Sequence, residues 1–120
     1  MMTRITETED LHNPNVVKVV TGYKGDALYF SRSAIPFNRD GNTSCSYYRH
    51  IGVYAYRKES LLKFISLAPS HLEQIEKLEQ LRLLENGFKL RMVETDYQGI
   101  GIDSPHDLQV VAAILNLQEH

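Results

Sequence analysis

The chain has one cysteine, Cys45, and no tryptophan. A single thiol cannot build an internal disulfide framework, so a reducing compartment, the cytoplasm, is the expected location. No apolar run approaches the ~18 residues that a membrane-spanning helix needs. The opening MMTRITETED lacks the apolar core of a secretory signal, and none is expected. Basic charge is not in excess: 13 Lys and Arg stand against 15 Asp and Glu, a net charge of −2. Neither a nucleic acid nor an anionic membrane is therefore the expected partner. CxxC, HExxH and EF-hand patterns are missing, and His12, His50, His71, His106 and His120 are scattered, which argues against zinc. GYKG and GIG do not match a P-loop, and GIG lacks the third glycine of a dinucleotide fingerprint. There is no internal repeat and no low-complexity tract.

What is present is ordinary for a globular domain: 120 residues, 42% hydrophobic and 23% charged. Residues 6–15 (TETEDLHNPN) read as a loop or entry turn. VVKVV (16–20) and ALYFSR (27–32) read as β-branched and aromatic strands, and TGYKGD between them fits an antiparallel hairpin. Residues 33–46 (SAIPFNRDGNTSCS) form a long irregular segment. Loops of that length are often functional. Cys45 within it reads as a surface thiol rather than a nucleophile. Residues 58–67 shift to helical spacing and stop before Pro69. Ser70 and Glu73 then form a capping box that opens a helix expected to run to about Asn86, with Gly87 as its αL terminator. Leu72, Ile75, Leu78, Leu81 and Leu84 give its apolar stripe, and Glu79 and Arg82 sit at i, i+3. KLRMVET (89–95) is a further strand. Ser104 and Pro105 open a last helix with Leu108, Val111, Ala112 and Leu115 inward. The expected fold is α/β, a mixed sheet with flanking helices, in a single domain over 1–120.

The stretch with the most chemistry is 47–57, YYRHIGVYAYR. Alternation would place Ile51, Val53 and Ala55 on one strand face and His50, Gly52, Tyr54 and Tyr56 on the other. The second face is polar, aromatic and hollow at Gly52, which suits a ligand floor. It equally describes a half-exposed strand with solvated side chains. In an extended strand His50 and Tyr54 would stand about 13 Å apart, at ~3.3 Å per residue. Three further groups invite chemistry. Arg32 ends a strand and could clamp a carboxylate or phosphate, or be a surface charge. Glu76, Glu79 and Gln80 cluster on a helix that could also be simply solvated. Asp103 follows a GIG turn before a helix N-terminus, where an acid is also favoured by the dipole alone.

In order along the chain, NPNVVKVV, ALYFSRSAIPFNRD, YYRHIGVYAYR, LEQIEKLEQLRLLENG and GIGIDSPHDL resemble the C-terminal half of the 3-deoxy-manno-octulosonate cytidylyltransferase (CMP-Kdo synthetase) family. The resemblance covers nearly the whole chain. It implies a nucleotide-diphospho-sugar transferase fold, here partial and lacking the N-terminal nucleotide-binding half. It also implies a cytoplasmic homodimer that couples Kdo to CTP, releasing pyrophosphate, for lipopolysaccharide biosynthesis. Under it Arg32, His50, Tyr54, Glu79 and Gln80 would line the sugar-acid site, and Asp103 would hold Mg²⁺. The sugar's anomeric hydroxyl would attack the α-phosphorus of CTP, with the metal offsetting charge. The family is roughly twice as long. Its phosphate-binding loop, cytosine-reading residues and other metal-binding Asp fall in a half not matched here, and it reads straight through the point where this sequence starts. The resemblance thus implies a truncated or split gene product, an expression fragment or a late start codon, with a separately encoded N-terminal half as a conceivable partner. A half-sheet of this kind is expected to expose apolar edges and faces. The other reading is an inactive remnant that serves as a dimerisation or interaction module.

Overall fold

TGYKGD does turn the chain back on itself. In the computed structural model, which describes residues 1–41 and 44–96, Gly25 takes φ +87° and donates to the Gly22 carbonyl at 3.0 Å. A side chain is strained in that left-handed region, and glycine is not. The flanking strands β2 (Lys18–Thr21) and β3 (Ala27–Ser31) pair antiparallel, with a register shift between Val20 and Thr21. β1 (Met2–Arg4) and β4 (Tyr48–His50) complete a sheet of order β1-β4-β2-β3 whose ladders are all antiparallel. A single parallel bridge, Met2 to Glu94, adds the other sense. KLRMVET, expected as a strand, does not form a ladder. It straddles two partners instead: Met92 donates to Gly25 and Met2 donates to Val93, each at 2.9 Å. Arg91 closes on Asp26 at 3.1 Å.

The chain adds helices α1 (Thr8–His12), α2 (Lys58–Ser66), α3 (His71–Glu76) and α4 (Leu81–Glu85). The first corrects the loop expected over 6–15: Glu9 and Asp10 occupy a first turn, where the dipole favours acids. The capping box of Ser70 and Glu73 is present. The helix it opens is shorter than expected. Lys77 enters the left-handed region at φ 58°, ψ 47°, so 70–86 is two short helices with a turn between them. Gly87, at φ +81°, stands just beyond α4 as expected. Arg82 does not pair with Glu79. It grips Glu73 through two hydrogen bonds of 2.7 and 2.5 Å, tying α4 back to α3. This pair pulls the Glu73 carboxyl below its usual range. The expected helix starting at Ser104 lies outside the described residues.

The core lies between the sheet and α3–α4. Val19 and Phe30 from the hairpin meet Leu78 and Leu81, with Met2, Ala27 and Met92 closing the cluster. Alternation puts Lys18 on the opposite sheet face, in a row with its register partners Arg49 and Ser31. Lys18 is fully buried and its ammonium donates to the carbonyls of Asn13 (2.7 Å) and Arg32 (2.6 Å). Burial lowers its pKa, as does the nearby Arg32 charge, against an opposing pull from Glu76. Unlike α3 and α4, helices α1 and α2 have no buried residue, and Leu61, Leu62 and Ile65 of α2 face outward.

Candidate functional site

The strand expected over 47–57 ends at His50, because its neighbours end there. Ile51 still donates to Met1 at 2.9 Å, but Val53 turns back onto the Ile51 carbonyl at 2.7 Å. The chain therefore bends where an extended strand would have kept His50 and Tyr54 far apart. The Tyr54 hydroxyl instead lies 2.6 Å from His50 Nε2. The gap foreseen at Gly52 is present: a Cβ there would meet nothing within 4 Å.

From His50 the aromatic rings form a ladder. Phe30 meets the imidazole edge-on from the core at 5.2 Å. Tyr54 follows at 5.3 Å, Tyr56 stacks on Tyr54 at 5.7 Å, and Phe64 of α2 stacks on Tyr56 at 6.2 Å. The Arg82 guanidinium covers the far ring, 5.1 Å from the Phe64 centroid. Burial, helped by the Met1 ammonium, pushes His50 down to about 4. Burial, then Tyr56, pushes the Tyr54 phenol well up. At neutral pH the imidazole is therefore uncharged and the phenol protonated. The phenol and Nε2 share one hydrogen bond, whose direction follows the imidazole tautomer. Such a pair holds a wall in place; it is not a ready proton donor.

The ladder forms one side of a cavity of about 340 Å³. The turn 77–80 forms the other, so His50, Gly52, Tyr54, Tyr56, Glu79 and Gln80 share one lining. Four of the residues singled out from the sequence are thus brought together: His50, Tyr54, Glu79 and Gln80. Tyr56, Phe64 and Lys77 also line it. Tyr56 was legible in the alternation. Phe64 and Lys77 were not, since their place depends on where α2 docks and α3 ends. Arg32 is not brought in. Its Nε, Nη1 and Nη2 donate to the carbonyls of Glu76 (2.7 Å), Pro14 (2.9 Å) and Lys77 (3.2 Å). Its backbone N–H donates to the Glu76 carboxylate at 3.1 Å, which accounts for Glu76 as well. Asp103 lies outside the described residues. Among the described residues no cluster of three His, Cys, Asp or Glu could hold a metal. Cys45 is half-buried.

The lining offers a carboxylate, an amide, phenol groups and an ammonium around aromatic faces. That inventory suits a polar, hydroxyl-rich ligand held by several directed hydrogen bonds. Tyr54 and Tyr56 also border a second, more apolar cavity of about 410 Å³ that includes Met1, Val53, Leu83, Phe88, Leu90 and Val93. The two tyrosines are the partition between a polar chamber and a greasy one.

This is an α/β fold with a polar cavity beside its sheet, and comparison with known proteins gives its family. The chain belongs to the cytidylyltransferase family, whose sequence pattern matches residues 1–94. It is 48% identical over 111 residues to the 3-deoxy-manno-octulosonate cytidylyltransferase of Solibacter usitatus (strain Ellin6076), covering 92% of this chain and 44% of that protein. It is 51% identical over 115 residues to the same-named protein of Lawsonia intracellularis, covering 96% and 45%. A solved structure of CMP:2-keto-3-deoxy-manno-octonic acid synthetase complexed with CTP superposes with a TM-score of 0.83 at 39% identity, over 98% of this chain and 48% of that one. The chain spans about half the length of the curated relatives it matches, and aligns to their C-terminal part.

Proposed function

We propose that this chain supplies the sugar-acid half of a 3-deoxy-manno-octulosonate cytidylyltransferase, which joins Kdo to CTP and releases pyrophosphate in cytoplasmic lipopolysaccharide biosynthesis. The observation that carries the reading is the gathering of His50, Tyr54, Glu79 and Gln80 around one cavity. Glu79 and Gln80 accept from and donate to sugar hydroxyls. The neutral His50–Tyr54 pair fixes the wall behind them, and Gly52 leaves the entrance open. Arg32 enters by holding the turn 77–80 in place through the carbonyls of Glu76 and Lys77. The pocket orients the sugar so that its anomeric hydroxyl faces the α-phosphorus of CTP, and orientation is the main gain in such a transfer. Mg²⁺, when bound, would offset charge on the triphosphate, and Asp103 is the residue of this chain proposed to hold it. The nucleotide-binding half comes from a preceding or separately encoded segment, and 1–120 acts as one partial domain beside it. The apolar chamber of Val53, Leu83, Phe88 and Val93 is the surface such a half would cover.

The test is pyrophosphate release from CTP and Kdo with Mg²⁺, by the chain alone and co-expressed with the N-terminal half of a relative. Turnover only in the second case is expected. Lack of turnover in both, with folded protein, rejects the reading. A homodimer is part of the same proposal, supported by the outward Leu61, Leu62 and Ile65 of α2. If the chain dimerises in sedimentation yet never binds Kdo, the interaction-module reading takes its place.

A further inference from the structure

We infer that Arg82, which lies outside the cavity lining, is the positioning residue that fixes the spacing between the cavity's two walls. The inference rests on the sugar-acid reading above and adds a residue to it. One wall is the turn 77–80, and the other is the aromatic ladder that ends on Phe64 of α2. Arg82 holds both. Its backbone N–H donates to the Glu79 carbonyl at 3.0 Å, so the residue is fixed to the turn that presents Glu79 and Gln80. Its guanidinium face lies 5.1 Å from the Phe64 centroid, and its Nη1 reaches the Leu67 carbonyl at the C-cap of α2, at 3.5 Å. Two contacts therefore fall on the last turn of a helix that has no buried residue of its own to seat it.

The pair with Glu73 keeps the guanidinium still while it does this. Nε and Nη2 take the two carboxylate oxygens, and the side chain is only 15% exposed. An arginine suits the task because its planar fork binds a carboxylate edge-on and leaves its face free to stack on a ring. A lysine would keep the charge and lose the plane. Movement of Phe64 would pass by stacking to Tyr56 and then to Tyr54, the rings that face the cavity. A ligand that touches both walls at once, as the sugar acid is proposed to do, feels that movement.

The experiment measures Kdo binding by calorimetry, with urea unfolding of each variant alongside. A merely structural role lowers the folded fraction but leaves the affinity of folded molecules unchanged. Arg82→Lys should bind Kdo about tenfold more weakly while folded, a loss of the kind that small misplacements cause. Phe64→Leu, which leaves the Glu73 pair in place, should lose a similar factor, and Phe64→Tyr, which keeps the ring, should bind as wild type does. Phe64 also lines the cavity, so the decisive reading is the double variant, which should lose little more than either single one because both remove one shared contact. Without ligand, Arg82→Lys should displace the NMR resonances of the Tyr54 and Tyr56 rings. Wild-type affinity in Arg82→Lys would overturn the inference and leave the pocket reading intact, and so would losses that simply add. Wild type that binds no Kdo would reject the sugar-acid reading; the ring resonances then decide, and a displacement confined to Phe64 would overturn the inference as well.

Discussion

Phe30 and Phe64 stand at opposite ends of one aromatic ladder, in opposite circumstances. Phe30 is wholly enclosed in the core cluster that joins the hairpin to α3–α4. Phe64 is half-buried on a helix with no buried residue, held by Tyr56 on one face and Arg82 on the other. The cavity lies between these regimes. Its turn 77–80 is clamped by Arg32 to a saturated core, while its aromatic wall hangs from α2. The difference teaches where ligand-induced adjustment would fall: on the α2 side, because few contacts there must be broken.

Four measurements would break or sharpen that contrast. Phe30→Ala should cost about 3–5 kcal/mol in urea unfolding, the range for a fully enclosed aromatic. A loss near that of an exposed residue would mean the two ends are alike. Arg32→Met should cost about 2 kcal/mol by removing three guanidinium hydrogen bonds, the one to the Glu76 carbonyl half-buried, and should loosen the turn 77–80 in amide exchange. Third comes an acid limb from His50. Its pKa of about 4 in the folded chain lies below the ordinary 6.5. The unfolded chain therefore takes up a proton that the folded one refuses. The contribution is whole above pH 6.5, declines as pH falls toward 4, and is lost below. It amounts to about 2 kcal/mol, less than the full shift at ~1.4 per unit because part of the ring meets solvent. His50→Gln should flatten this limb in urea unfolding across pH. Smallest is Phe64→Ala, at about 1 kcal/mol; a cost matching Phe30→Ala would place α2 within the core.

What could be read beforehand was local. The hairpin, the Ser70–Glu73 box and Gly87 each declare themselves within a few residues, through backbone freedom or a reciprocal cap. What could not be read depended on partners. Nothing at Lys77 breaks the stripe of Leu72, Ile75, Leu78 and Leu81, because the break is imposed by α4 folding back to pair Arg82 with Glu73. The alternation of 51–57 stands in the sequence, yet among the described residues no neighbouring strand extends far enough to pair with it. The site residues followed the same division. His50, Tyr54, Glu79 and Gln80 were visible as chemistry, and their meeting required the bend after Ile51 that sequence periodicity conceals. Arg32 was visible as a charge, but not as one whose contacts would all be to main chain.

Lys18 and Arg32 stitch three segments together, and both do so by grasping peptide oxygens: Asn13, Pro14, Glu76, Lys77 and, for Lys18, that of Arg32 itself. Every amino acid carries the same carbonyl. These grips do not themselves depend on which side chains occupy 13, 14 and 77, and of the three only 77 lines the cavity. The two cations give this corner of the molecule a tolerance to change exactly where a ligand site has most use for variation.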